Sequence, residues 1–188
     1  MSIQVAPIRP LNHPARRTSH MYLEFDREIH LGENSAASIY VHCPIEIGVF
    51  LVVDSNKDSL DWISCNHADS RFCLYGPPDT GILCKYARVS LATNYDDSRP
   101  YVDGVMKIVL TNTLKSGQAV RKVVFPITDN SLYYEGSRSI FDGIDVTLKK
   151  RAAVGVADVK ISKAETDWTK SPAWEDTTVS TAMEMGLE

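Results

Sequence analysis

The sequence has no apolar run long enough to cross a membrane as a helix. A membrane-spanning helix needs about 20 predominantly apolar residues, and the longest apolar stretch here, Ile47 to Val53, is much shorter. Near the N-terminus, Pro7, Arg9 and Pro10 stand where a signal peptide would have its apolar centre. We therefore expect neither a membrane span nor secretion.

Motifs of the common enzyme and nucleotide-binding sites are also missing. The sequence contains no Gly-x-Gly-x-x-Gly, no Walker-type phosphate loop and no Gly-x-Ser-x-Gly, which excludes nucleotide binding and serine chemistry by those devices. The carboxylate pairs Asp54/Asp58 and Asp96/Asp97 lie among turn residues, where aspartate commonly caps the backbone. We therefore expect a protein without catalytic activity and without a cofactor.

A strong positive charge is missing as well. The net charge is -4 and the pI is about 5.7, so the chain as a whole does not attract nucleic acid or an anionic membrane. Two local basic clusters, Arg16-Arg17 and Lys149-Lys150-Arg151, could each contact phosphate groups. Each is equally typical of a solvated strand end, so any binding of nucleic acid would have to use such a local cluster.

The four cysteines follow no Cys-x-x-Cys spacing. A chain of 188 residues can be held together by its core, so we expect reduced thiols and a reducing, cytoplasmic compartment. Zinc prefers about four thiolate or imidazole ligands, for which the weak candidates are Cys65, His67, Cys73 and Cys84. A zinc-binding protein or enzyme at these residues is the third of three functional hypotheses.

Short segments of alternating polarity, separated by turn residues, fill the chain between about 20 and 163. The clearest segment, Val105 to Ile127, reads as a β-hairpin whose turn is Lys115 to Gln118. Every residue of the run Val49 to Val53 is apolar, so both faces of the strand would be apolar. This pattern predicts a central strand that is covered on both faces. The pattern predicts an all-β fold, an antiparallel sandwich or barrel of jelly-roll type.

The two ends differ from the middle in composition. Residues 1–19 contain three prolines and three arginines and no acidic residue, which predicts an extended basic arm. Residues 165–188 are acidic, lack a periodic core face and contain Trp168 and Trp174. The predicted organisation is therefore an arm over 1–19, a β-sandwich domain over 20–164 and a flexible tail over 165–188.

A compact β domain between two arms of opposite charge favours a non-enzymatic structural protein that self-associates through the domain and the arms. This plan is similar to that of virus structural proteins of the coat or matrix type, which would place the protein in a virion. Predicted contact residues are the basic clusters, the two tail tryptophans, and Lys107 and Lys122 on the polar face of the hairpin.

A second hypothesis is a ligand- or peptide-binding module that uses the irregular 65–82 region. Trp62, Phe72 and Tyr75 would then supply aromatic contacts. The same three side chains could instead fill one end of the core, which is the interpretation that the sequence favours.

Overall fold

The structure is a computed structural model that describes residues 1–10, 19–54, 56–65, 71–151 and 154–174. Apart from two 3-10 turns, Tyr95–Asp97 and Ile127–Asp129, the regular structure in these ranges is β. The strands are β1 (Ser2–Ile8), β2 (His20–Leu31), β3 (Ser35–Pro44), β4 (Glu46–Val53), β5 (Asn56–Ile63), β6 (Arg71–Tyr75), β7 (Ile82–Val89), β8 (Leu91–Ala92), β9 (Asp103–Asn112), β10 (Gln118–Pro126), β11 (Leu132–Glu135), β12 (Arg138–Phe141), β13 (Gly143–Arg151), β14 (Val154–Ser162) and β15 (Thr169–Lys170).

Two sheets enclose the main core. One has four strands in the order β10-β2-β7-β6, and the other has eight strands with β9 at its centre, between β3 on one edge and β12 and β13 on the other. Alternating residues of β2 and β9 point into this core, among them Leu23, Phe25, Ile108 and Leu110. The predicted all-β, sandwich-like fold is confirmed, although the parallel pairs β2–β7 and β9–β13 make the sheets mixed.

A third sheet of three strands, in the order β1-β4-β5, covers a smaller core. Ala6, Ile8 and Phe50 are buried there, and Trp62, Tyr134 and Trp174 pack against them. The first described part of the predicted arm is therefore a paired strand, because β1 lies antiparallel to β4 over its whole length. Proline did not prevent this pairing, since β1 is an edge strand, where a missing N–H donor is tolerated.

The predicted hairpin at Val105 to Ile127 is wrong, although both of its strands exist. β9 pairs with β3 and β13, whereas β10 pairs with β2 in the opposite sheet. Buried Asn112 holds the connection: its Nδ2 donates to the carbonyls of Gly32 and Ser116, and its Oδ1 accepts from the backbone N–H of Leu114. The chain thus passes from one sheet to the other here, through the mostly exposed residues 113–117.

The first ten residues of the predicted tail are also part of the fold. β15 pairs with β11, and the backbone N–H of Ser171 donates to the carbonyl of Leu132 over 2.8 Å. The Ser171 hydroxyl donates to the carbonyl of Pro7, which joins this segment to β1. Among the described residues, the chain forms no helix of the length and hydrophobicity needed to span a membrane.

Candidate assembly surface

The outer face of the β1-β4-β5 sheet carries exposed aliphatic side chains. Ile3 is 59% exposed, Val5 60% and Ile63 52%. We define the apolar face by its six outward aliphatic residues, which are Ile3, Val5, Val49, Leu51, Val53 and Ile63. Large apolar side chains grouped on one side of a sheet are typical of a surface that contacts another molecule.

The strand register explains why these side chains share one face. Ile3 lies opposite Leu51 and Val5 lies opposite Val49, and directly opposed residues in an antiparallel pair project from the same side of the sheet. Ile63 lies opposite Ile47, a residue of the main core. The apolar face therefore begins at the edge of the main core and continues outward along β4 and β1.

Carboxylates border the apolar face on one flank only. Asp61 lies opposite Val49 and Asp58 lies opposite Leu51, which puts both on the outward side of β5. Within β1, β4 and β5 the register places no lysine or arginine on this side, since Lys57 lies opposite Val52 on the other face. A face with this composition does not suit nucleic acid or an anionic lipid surface.

Sequence reasoning missed this surface, although a signal was present. Ile3 and Val5 alternate with the polar residues Ser2 and Gln4, which is the period of a strand with one apolar face. The prolines that follow favour the extended arm predicted for residues 1–19 instead. The β4 run was predicted to be covered on both faces, whereas Val53 at its end is 40% exposed.

The structure does not bring the predicted basic contact residues together. Lys107 projects from β9 and lines an open groove of about 350 Å³, whereas Lys122 lies on β10 in the other sheet. Lys149 pairs with Asp158 on the neighbouring strand, and Lys150 is exposed. The side chain of Arg151 and residues Arg16 and Arg17 lie outside the described part of the chain.

Both tail tryptophans are half-buried against their own chain. The Trp174 ring lies edge-on to Phe50, with the ring centroids 5.8 Å apart. The guanidinium of Arg138 lies 5.0 Å from the centroid of the Trp168 ring. These intramolecular contacts leave less of each ring available to a partner than a flexible tail would.

The candidate zinc ligands lie in different parts of the fold. Cys73 and Cys84 are directly opposed on β6 and β7, whereas Cys65 follows β5 of the three-stranded sheet. His67 lies outside the described residues. In the described ranges no three His, Cys, Asp or Glu side chains are grouped so that they could hold a metal ion.

The four free thiols should differ in reactivity. Cys65 is exposed, whereas Cys43 and Cys84 are buried, and burial raises the pKa of Cys84 to about 11, with Cys73 adding to the shift. Because the thiolate is the reactive form, a short iodoacetamide pulse at pH 8 should label Cys65 first. Peptide mass spectrometry checks this order, and rapid labelling of Cys84 in the folded protein would contradict it.

The fold and this surface together define an all-β, sandwich-like protein with an exposed apolar sheet face. A family model described as "Protein of unknown function (DUF432)" matches residues 1–186. The chain therefore belongs to the DUF432 family. Comparison with curated proteins and comparison with solved structures gave no match.

Proposed function

We propose that the protein is a non-enzymatic assembly protein whose copies associate through the apolar face. The observation that supports this most is the exposure of Ile3, Val5 and Ile63 on one side of a sheet whose other side is already packed. The area-dependent gain from removing aliphatic side chains from water drives most protein association. A sheet with two apolar faces needs a cover on each of them.

A second copy of the chain fits this face better than other occupants. Apolar sheet faces pack on one another with their strands nearly aligned, as in β-sandwiches. A two-fold arrangement would put β1 of one copy over β4 of the other and keep the two β5 strands on opposite flanks. Asp58 and Asp61 of the two copies would then lie far apart, so like charges would not meet across the interface.

The test is the molar mass of the purified full chain, measured by multi-angle light scattering over a concentration series. We expect the wild-type protein to form at least a dimer and Val5→Lys to be a monomer. Because both copies carry the substitution, each two-fold interface would bury two new ammonium groups, and burying unpaired charge costs several kcal/mol. We therefore expect the association constant to fall by a factor of about 100 or more.

A matched control distinguishes this surface from exposed aliphatic residues in general. Ile82 on β7 is 42% exposed but lies in another sheet, so Ile82→Lys should leave the mass unchanged. A wild-type monomer at all concentrations would contradict the proposal. So would an oligomer whose mass is the same in the Val5→Lys variant.

The finer parts of the predicted function remain proposals. The described part of the N-terminal arm contributes Ile3 and Val5 to the apolar face, which supports a role of that segment in assembly. The similarity of plan to coat or matrix-type proteins of a virion stays a prediction. A family of unknown function does not bear on it.

A further inference from the structure

The outer face of the β10-β2-β7-β6 sheet groups tyrosines with cations. All four strands contribute to it, and this surface is distinct from the apolar face of the β1-β4-β5 sheet. We define the tyrosine–cation face by Tyr22 on β2, Tyr75 and Arg71 on β6, Tyr86 and Arg88 on β7, and Lys122 on β10.

Tyr22 lies at the centre of this face. Its ring centroid is 5.8 Å from that of Tyr86 and 6.3 Å from that of Tyr75, which meets it edge-on. The Lys122 Nζ lies 5.6 Å from the Tyr22 centroid and 6.0 Å from the Tyr75 centroid. Tyr75, at the outer edge of the sheet, is 44% exposed, so part of its ring is open to a ligand.

The carboxylates on β2 beside these rings already have partners. Tyr86 donates its hydroxyl to Glu24 over 2.7 Å, and Arg121 pairs with the other oxygen of the same carboxylate at 3.2 Å. The hydrogen bond from Tyr86 is the main reason that the pKa of Glu24 lies below its ordinary value. Asp26 pairs with Arg27 at 3.7 Å.

The remaining cations are not neutralised in this way. Arg71 lies opposite Tyr86, and Arg88 lies beside Glu24 in the register of β7 and β2. In the described part of the chain, Arg71, Arg88 and Lys122 form no ion pair with a carboxylate. The face therefore groups three cations that form no close ion pair around several aromatic rings, in a chain whose net charge is -4. Glu24 balances part of this charge, since Arg88 helps to lower the pKa of its carboxyl and Lys122 lies opposite it on β10.

We propose that the tyrosine–cation face binds single-stranded nucleic acid. Proteins that bind single strands combine cations that contact the phosphates with aromatic side chains on which bases stack. A single strand offers unpaired bases to Tyr75, whereas a duplex stacks its bases on one another and hides their flat faces. An anionic polymer without bases could use the three cations but would gain nothing from stacking on the tyrosines.

The experiment is a titration of a fluorescein-labelled twelve-nucleotide oligo(dT) and of oligo(U) with the full chain, followed by fluorescence anisotropy. Tyr75→Ala should weaken binding about tenfold, within the range found for base–aromatic stacking. Tyr75→Phe keeps the ring and should bind like the wild type. For three phosphate contacts the slope of log K against log salt should be about -2, and Arg71→Ala should reduce it by about 0.7.

Matched controls lie on other parts of the surface. Lys160→Ala removes an exposed cation from β14, and Tyr101→Ala removes a tyrosine that is 52% exposed; neither should change the affinity. The proposal is wrong if neither oligonucleotide binds at about 50 mM salt. It is also wrong if Tyr75→Ala binds like the wild type and inorganic polyphosphate competes as well as the oligonucleotide, since the face would then recognise charge alone.

Discussion

Lys85→Met should lower the free energy of unfolding by about 3–5 kcal/mol, since it removes one partner of a buried ion pair. The Lys85 Nζ lies 2.7 Å from the Glu46 Oε1, and their side chains are only 13% and 4% exposed. Lys85 belongs to β7 and Glu46 to β4, so the pair joins the four-stranded sheet to the three-stranded sheet. The variant would leave the Glu46 carboxylate in a buried position without its ammonium partner.

The double variant Glu46→Leu/Lys85→Met should recover most of that loss. Replacing a buried ion pair by apolar side chains of similar volume is often close to neutral, because neither charge then has to be desolvated. Urea unfolding followed by circular dichroism measures both variants, and Lys163→Met, at an exposed lysine, is the control. A double variant as unstable as Lys85→Met alone would contradict an ion-pair origin of the effect.

Strand positions could be predicted from the sequence because alternation is a local signal. β2 alternates buried Leu23 and Phe25 with more exposed residues, and β9 does the same with Ile108 and Leu110. A period of two states that a segment is extended and which side chains share a face. It states nothing about which other strand accepts the hydrogen bonds.

Strand partners were for this reason the main error. A short connection between two alternating segments is compatible with a hairpin in one sheet and also with a crossing to the opposite sheet. β9 and β10 lie in opposite sheets, which is the second of these arrangements. The connection between them is held by Asn112, whose Nδ2 donates to the carbonyl of Gly32, a residue far away in the sequence. The partner of β1 likewise lies some forty residues further along the chain, where Val5 pairs with Val49.

The two proposed surfaces depend on the same non-local information. The alternation of Ile3 and Val5 was visible, but whether the outward side of their sheet is covered is decided by the placement of every other element. Tyr22, Tyr75 and Tyr86 are separated in the sequence and meet only because parallel β2–β7 pairing and the β6–β7 hairpin put them on one face.

Phe50→Ala should cost about 3–5 kcal/mol of stability, the usual loss for truncating a buried phenylalanine. Phe50 is fully buried and belongs to the small core with Ala6 and Ile8. The Phe50 ring packs closely against Gly48, since a Cβ added at Gly48 would lie 2.7 Å from the ring. Thermal unfolding followed by calorimetry measures the loss, and Phe50→Leu should lose much less because it leaves a smaller cavity.

The same variant separates stability from assembly. Phe50 and Leu51 are adjacent in β4, so their side chains project from opposite faces of the sheet. Phe50→Ala should remove the ring contact with Trp174 and shift the emission of Trp174 to longer wavelength. Trp62→Phe and Trp168→Phe are introduced into the same protein, so that Trp174 is the only tryptophan that emits. Below the unfolding temperature the variant should still associate like the wild type, because the apolar face is intact. If Phe50→Ala were folded but monomeric, association would depend on the smaller core of Ala6, Ile8 and Phe50. That result would contradict the proposal that copies associate through the apolar face.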